Sequence, residues 1–148
     1  MPCERTRDVL DKVRDFHRKL SEFYAKMQEM AHREKVRMLL GYMSRHEMHL
    51  EECLARYENE GAKGILDTWF QFTPPIAKWE FFEKLDLNAD MSVDDVIQTA
   101  IKFDDCLVEF YLQVSEMAAC EDVRALFSKL LNMEKAEERQ AIRNALEL

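Results

Sequence analysis

Glycine and proline are scarce in this chain, which has 148 residues but only three of each. Six turn-forming residues are too few for the hairpins and loops of an all-β or α/β domain of this length. The sequence therefore predicts an all-α protein. A composition of 47% hydrophobic and 34% charged residues indicates one globular domain over residues 1–148.

Paired cysteines and long apolar runs are also missing. The four cysteines form no Cys-x-x-Cys pair, which argues against a zinc ribbon, a rubredoxin-type iron site or a dithiol redox motif. No apolar run approaches the ~18 residues that cross a bilayer, and the first residues are charged rather than part of a signal peptide. We expect a cytoplasmic protein with reduced thiols and no membrane partner.

Positively charged residues are few: the chain has 21 lysines and arginines and 29 acidic residues, which give a net charge of −8. A chain of this charge is unsuited to binding phosphate backbones or anionic lipid. We therefore expect no nucleic-acid partner.

Four amphipathic stretches carry apolar residues at spacings of three and four, the pattern of helices with one buried face. Two lie within about residues 3–60 and two within about 93–147. The joints near His32 and Cys120 are short, so each pair should form an antiparallel hairpin, and Gly61 suits the end of the second helix. The sequence predicts an antiparallel four-helix bundle.

A crossover over residues 61–92 joins the two hairpins and is long enough to run the length of the bundle. We expect it to contain a short helix around Ala77–Leu85, and Ser92–Asp95 to cap the third long helix. It is rich in aromatic residues: Trp69, Trp79, Phe70, Phe72, Phe81 and Phe82. We expect these rings to pack on the bundle surface or at a homodimer interface.

The two hairpins are related by an internal repeat. A shift of 87 residues lays residues 16–52 over residues 103–139 with 14 identities in 37 positions, where chance gives about two or three. We infer two copies of one helical hairpin, related in the bundle by an approximate two-fold axis.

Ionisable residues interrupt the apolar seams near their middles: His17, Glu47, Asp104 and Glu134, with Glu137 one turn after the last. The repeat places the first four at equivalent depths, so we expect them to converge. Burying several carboxylates together is unfavourable unless a metal, a proton or a cationic side chain compensates their charge. No lysine or arginine occupies a seam position near them.

At these positions the chain resembles the ferritin-like superfamily, and its rubrerythrin-like branch in particular. In that family a first-helix Glu, an aromatic residue two turns later and a second-helix Glu-x-x-His hold a di-iron or di-manganese centre. The resemblance implies these metal ligands: His17, Glu47, Asp104, Glu134 and Glu137. It places Tyr24 and Tyr111 at the aromatic positions, where they would hydrogen-bond the ligating carboxylates. Leu50 stands where the family has a ligating histidine, so five ligands remain instead of six.

Two functions are open at this point. The first is a metal-binding oxidoreductase acting on peroxide or oxygen, with iron, or alternatively manganese or zinc, and a separate electron donor. The second is a non-catalytic helical module that kept the fold, lost the metal, and forms a dimer or binds a partner. In the second, His17 is protonated against Glu47, and the other acids have raised pKa values or are reached by water. Glu134→Gln is then neutral or stabilising.

The remaining histidines and cysteines of the helices are weaker candidates for a functional site. His46 and His49 flank the second seam and are expected to be a solvated or boundary pair. Cys53 and Cys106 lie within helical patterns and are expected to be small core or boundary residues.

Overall fold

The computed structural model describes residues 3–61, 63–70, 74 and 88–147. In chain order its elements are β1 (Glu4–Arg5), α1 (Thr6–Met30), α2 (Glu34–Glu60), α3 (Lys63–Leu66), β2 (Trp69–Phe70), α4 (Val93–Met117) and α5 (Glu121–Leu146). The four long helices form two antiparallel hairpins, α1 with α2 and α4 with α5. The all-α fold class and the four-helix bundle are confirmed.

The long helices end where local sequence signals indicate. Gly61 follows the last residue of α2, and its N–H donates to the Tyr57 carbonyl. Ser92 caps α4: its Oγ accepts from the Asp95 N–H at 3.1 Å, and the Asp95 carboxylate accepts from the Ser92 N–H at 2.8 Å. By contrast, Cys120 precedes α5 and provides no side-chain cap.

The bounds of the long helices repeat with the same 87-residue offset as the sequence repeat. A shift of 87 residues carries Thr6–Met30 onto Val93–Met117, and the start of Glu34–Glu60 onto the start of Glu121–Leu146. Equivalent residues of the two hairpins therefore occupy equivalent turns of their helices.

One cluster of buried apolar side chains runs through all four long helices. The ring of Phe103 on α4 lies edge-on to the rings of Phe23 and Tyr24 on α1, with centroids 5.4 and 6.1 Å apart. Such aromatic contacts add to the ~1.5–3 kcal/mol gained by burying each large apolar side chain. They hold the two hairpins together around the polar residues of the seams.

The start of the crossover packs against the N-terminus. β1 and β2 pair antiparallel, with Glu4 opposite Phe70 and Arg5 opposite Trp69. The Phe70 ring is buried 6.0 Å from that of Phe127. Trp69 is 53% exposed, with the Arg5 guanidinium 4.8 Å from its ring, because neighbouring residues of a strand point to opposite faces.

Phe70 therefore packs on the bundle, as one form of the prediction has it, whereas Trp69 does not, and its place at a homodimer interface stays a prediction. The remaining crossover predictions, namely the helix at Ala77–Leu85 and the packing of Trp79, Phe72, Phe81 and Phe82, lie outside the described residues. The two short strands were not predicted, since two residues show no alternating pattern.

Within the described part of the chain, no helix combines the length and the apolar character needed to cross a membrane.

Candidate functional site

A histidine lies between two carboxylates in the middle of the bundle. The His17 side chain on α1 is 1% exposed. Its Nδ1 is 2.5 Å from Glu47 Oε2 on α2, and its Nε2 is 3.0 Å from Glu134 Oε1 on α5. Both carboxylates are buried as well. We call these three side chains the His17 centre.

The charge of His17 follows from its surroundings. Burial alone lowers the imidazole pKa, but the Glu134 and Glu47 carboxylates, by their charge and their hydrogen bonds, raise the pKa to about 10. At neutral pH the ring is therefore an imidazolium that donates one N–H to each carboxylate. The two glutamates sit at equivalent positions of the repeat, so α2 and α5 present them from opposite sides of the ring.

Asp104 on α4 lies near this centre and is half-buried. Burial, followed by the charges of Glu47, Glu134 and Glu138, raises its pKa well above 3.8, and His17 opposes them only in part. These surroundings favour the protonated form of Asp104 more than water does. Asp104 also lines a narrow apolar cleft between α2, α4 and α5, together with Met43, Ala100 and Ala141.

The two tyrosines of the family pattern are fully buried beside the acidic residues. Burial and the charges of Glu47 and Asp104 raise the pKa of Tyr24. Burial raises the pKa of Tyr111, and the neighbouring Glu134 raises it further. The Tyr111 hydroxyl lies near Glu134. It makes no hydrogen bond of ordinary geometry with Glu134 or with any other described residue.

The structure gives Glu137 a different partner. Its Oε2 lies 3.6 Å from His46 Nε2, and its side chain is 37% exposed. The His46 ring stacks on that of Tyr42, with centroids 6.0 Å apart. Sequence analysis missed this pair, because nothing in the spacing along one helix shows which residue of another helix it faces.

The side chains at the family ligand positions differ from those of a two-metal centre. The imidazolium ring lies between Glu47 and Glu134, and a histidine must be deprotonated before it can ligate a metal. Leu50, which stands at a family histidine position, is buried and has no donor atom. No group of three or more His, Cys, Asp or Glu side chains within the described ranges is arranged to hold a metal ion. These side chains do not fit a two-metal centre.

A second polar cluster, not found by sequence analysis, joins α1 and α2. The Arg14 guanidinium lies 2.9 Å from Glu51 and 3.2 Å from Glu58, and Arg18 reaches Glu51 at 3.2 Å. Burial and the neighbouring Asp11 raise the pKa of Glu58 to about 7. Arginines that neutralise these acids give the cluster a structural role in the first hairpin.

Among solved structures, the fold is similar to that of a protein from Thermotoga maritima described as a ferritin-like diiron-carboxylate protein. The match has a TM-score of 0.62 at 14% sequence identity and covers 99% of this chain and 98% of that one. No protein-family profile matches the chain, and no curated protein sequence matches it. At this identity the likeness establishes the fold: the chain has a ferritin-like fold.

Proposed function

We propose that this chain is a metal-independent, non-catalytic helical module with a ferritin-like fold. The observation that carries the proposal is the His17 centre, where both nitrogens of a buried ring are hydrogen-bonded to carboxylates. The imidazolium supplies the positive charge that metal ions supply in a diiron-carboxylate centre.

Charge balance supports this proposal. Two buried carboxylates are unfavourable unless a counter-charge lies beside them, and His17 provides two charge-assisted hydrogen bonds. The raised pKa of Asp104 lessens its need for a counter-charge. Two family ligand positions have no role at the centre. Leu50 is apolar, and Glu137 pairs with His46 instead.

Such a module acts through binding. A homodimer, or another partner held through the crossover, is part of this proposal, and Trp69 offers an exposed indole at the start of that segment. Light scattering of the purified protein tests the dimer. Under this proposal no electron donor is needed, and the cytoplasmic location stays a prediction.

A second candidate is a protein that binds one metal ion. Imidazole and carboxylate together suit iron, manganese or zinc, and the similar structure is described as a diiron-carboxylate protein. The buried Tyr111 hydroxyl, unpaired among described residues, favours a further polar group beside Glu134. Deprotonated His17 with Glu47, Asp104 and Glu134 would hold the ion, which would supply redox chemistry toward oxygen or peroxide as the rubrerythrin-like resemblance implies.

Removing the imidazole separates the two candidates. If His17 is the resident cation, His17→Ala leaves the carboxylates uncompensated, so the variant gains affinity for ferrous iron that the parent protein lacks. If His17 is a ligand, the parent binds iron and the same variant loses affinity by about tenfold or more. Anaerobic iron titration with elemental analysis measures both proteins. His46→Ala is the control, because His46 contacts Glu137 and Tyr42 rather than the centre.

A parent protein that binds about one iron per chain, and that loses it in His17→Ala, would overturn the metal-independent proposal.

A further inference from the structure

We propose that Cys53 is a covalent modification site whose thiol adds to small apolar α,β-unsaturated carbonyl compounds. The site lies on α2, outside the His17 centre, and the proposal does not depend on whether that centre binds a metal.

Three side chains of α2 meet at the sulfur. Cys53 Sγ lies 3.6 Å from His49 Nε2 and 3.7 Å from Arg56 Nη2. Spacings of four and three residues put all three on one helix face. An unprotonated imidazole nitrogen at this distance is placed to accept the thiol proton, and the guanidinium places positive charge beside the sulfur. A nucleophile within reach of a base is the arrangement that activates a thiol.

Cys53 also lines an apolar groove. The residue is half-buried, and the groove, of about 220 Å³, lies between α2 and α5. Its other lining residues are Leu54, Tyr57, Leu126, Lys129, Leu130 and Met133. This volume is below the ~300–1,000 Å³ of pockets for drug-sized ligands, so the groove suits a small apolar group. The described contacts give none of the other three cysteines such a base and groove.

The chemical class follows from the nucleophile and the groove. A thiol is a soft nucleophile, and addition to an activated double bond needs no oxidant or reductant. The sulfur forms a bond to the β-carbon, and the π electron pair of the double bond moves toward the α-carbon. The thiol proton passes through His49 to the α-carbon, so atoms and electrons balance. The groove holds the apolar substituent of the reactant next to the sulfur.

Maleimides, which are α,β-unsaturated imides, test the site in the intact folded protein. Initial labelling rates at each cysteine are measured by peptide mass spectrometry with N-phenylmaleimide and N-methylmaleimide. Cys120 is the internal reference, because it is exposed. We expect N-phenylmaleimide to label Cys53 about tenfold faster than Cys120, and the preference for phenyl over methyl to be larger at Cys53.

Variants separate the base from the groove. His49→Gln should slow the labelling of Cys53 about tenfold or more, within the range for general-base assistance. His46→Gln, on the same helix but paired with Glu137, should leave the rate unchanged. Met133→Lys should remove the preference for the phenyl reagent while the methyl reagent still reacts. Equal rates at Cys53 and Cys120, or equal effects of the two histidine variants, would overturn the proposal.

Discussion

At the scale of single residues, the position of the His17 ring determines what the core does. A glutamate at this position would add a third carboxylate to Glu47 and Glu134 and would call for a metal. An imidazole reaches both carboxylates at once, at 2.5 and 3.0 Å, and brings its own positive charge. One residue type therefore changes the charge that the bundle core requires.

Glu134→Gln tests this pairing. The sequence alone predicts a neutral or stabilising effect in a metal-free protein, because it shows no partner for Glu134. The structure reverses the sign, since Glu134 accepts a hydrogen bond from the imidazolium. We now expect the free energy of unfolding to fall by about 1–3 kcal/mol, the range for losing a buried bond to a charged group. Urea unfolding measures it.

The matched control is Glu137→Gln. Glu137 is half-exposed and pairs only loosely with His46, so its change should stay within about 0.5 kcal/mol. Equal destabilisation by the two variants would show that Glu134 is no more important to the core than a surface carboxylate.

At the scale of the helices, the N-terminal caps of the two helices of the second hairpin differ. Ser92 caps α4 with a reciprocal pair of hydrogen bonds, whereas Cys120 precedes α5 in an extended conformation without a side-chain cap. Ser92→Ala should destabilise the protein by about 1 kcal/mol, and Cys120→Ser should stabilise it by about 0.5–1 kcal/mol. Thermal unfolding followed by circular dichroism checks both signs. A stabilising Ser92→Ala would contradict this account of the caps.

The helices were more predictable from the sequence than the site was. Apolar periodicity and the repeat predicted the four long helices, the Gly61 and Ser92 ends, and the approach of Glu47 and Glu134 to His17. They could not predict that both nitrogens of His17 would be bound, because that depends on side-chain rotation in three dimensions. They also could not show that Glu137 faces His46, since the register between α2 and α5 is set by packing.

At the scale of the whole molecule, stability should depend on pH through the buried groups. The pKa of His17 is about 10 in the folded protein, whereas the ordinary pKa of a histidine side chain is 6.5. Its stabilising contribution is thus complete below about pH 6.5 and is lost as pH rises toward 10. The raised pKa values of Asp104 and Glu58 act in the same direction, and the contribution of Glu58 is lost as pH rises through about 7.

We therefore expect the melting temperature to fall between pH 7 and pH 10. The matched variant His17→Gln should start from a lower melting temperature and change much less over this range, because it has no proton to lose. Parallel curves for the parent and the variant would rule out His17 as the source of the dependence. Calorimetry at a series of pH values measures both curves.

The most direct measurement for the central claim is the protonation state of His17 in the folded protein. Proton–nitrogen NMR of the metal-free protein at neutral pH, with His17 assigned by its loss in His17→Gln, reports on each ring nitrogen separately. We predict that both nitrogens carry a hydrogen and that neither signal moves when one equivalent of zinc is added. An unprotonated ring nitrogen, or a shift of the His17 signals on zinc addition, would contradict the claim that the imidazolium replaces the metal.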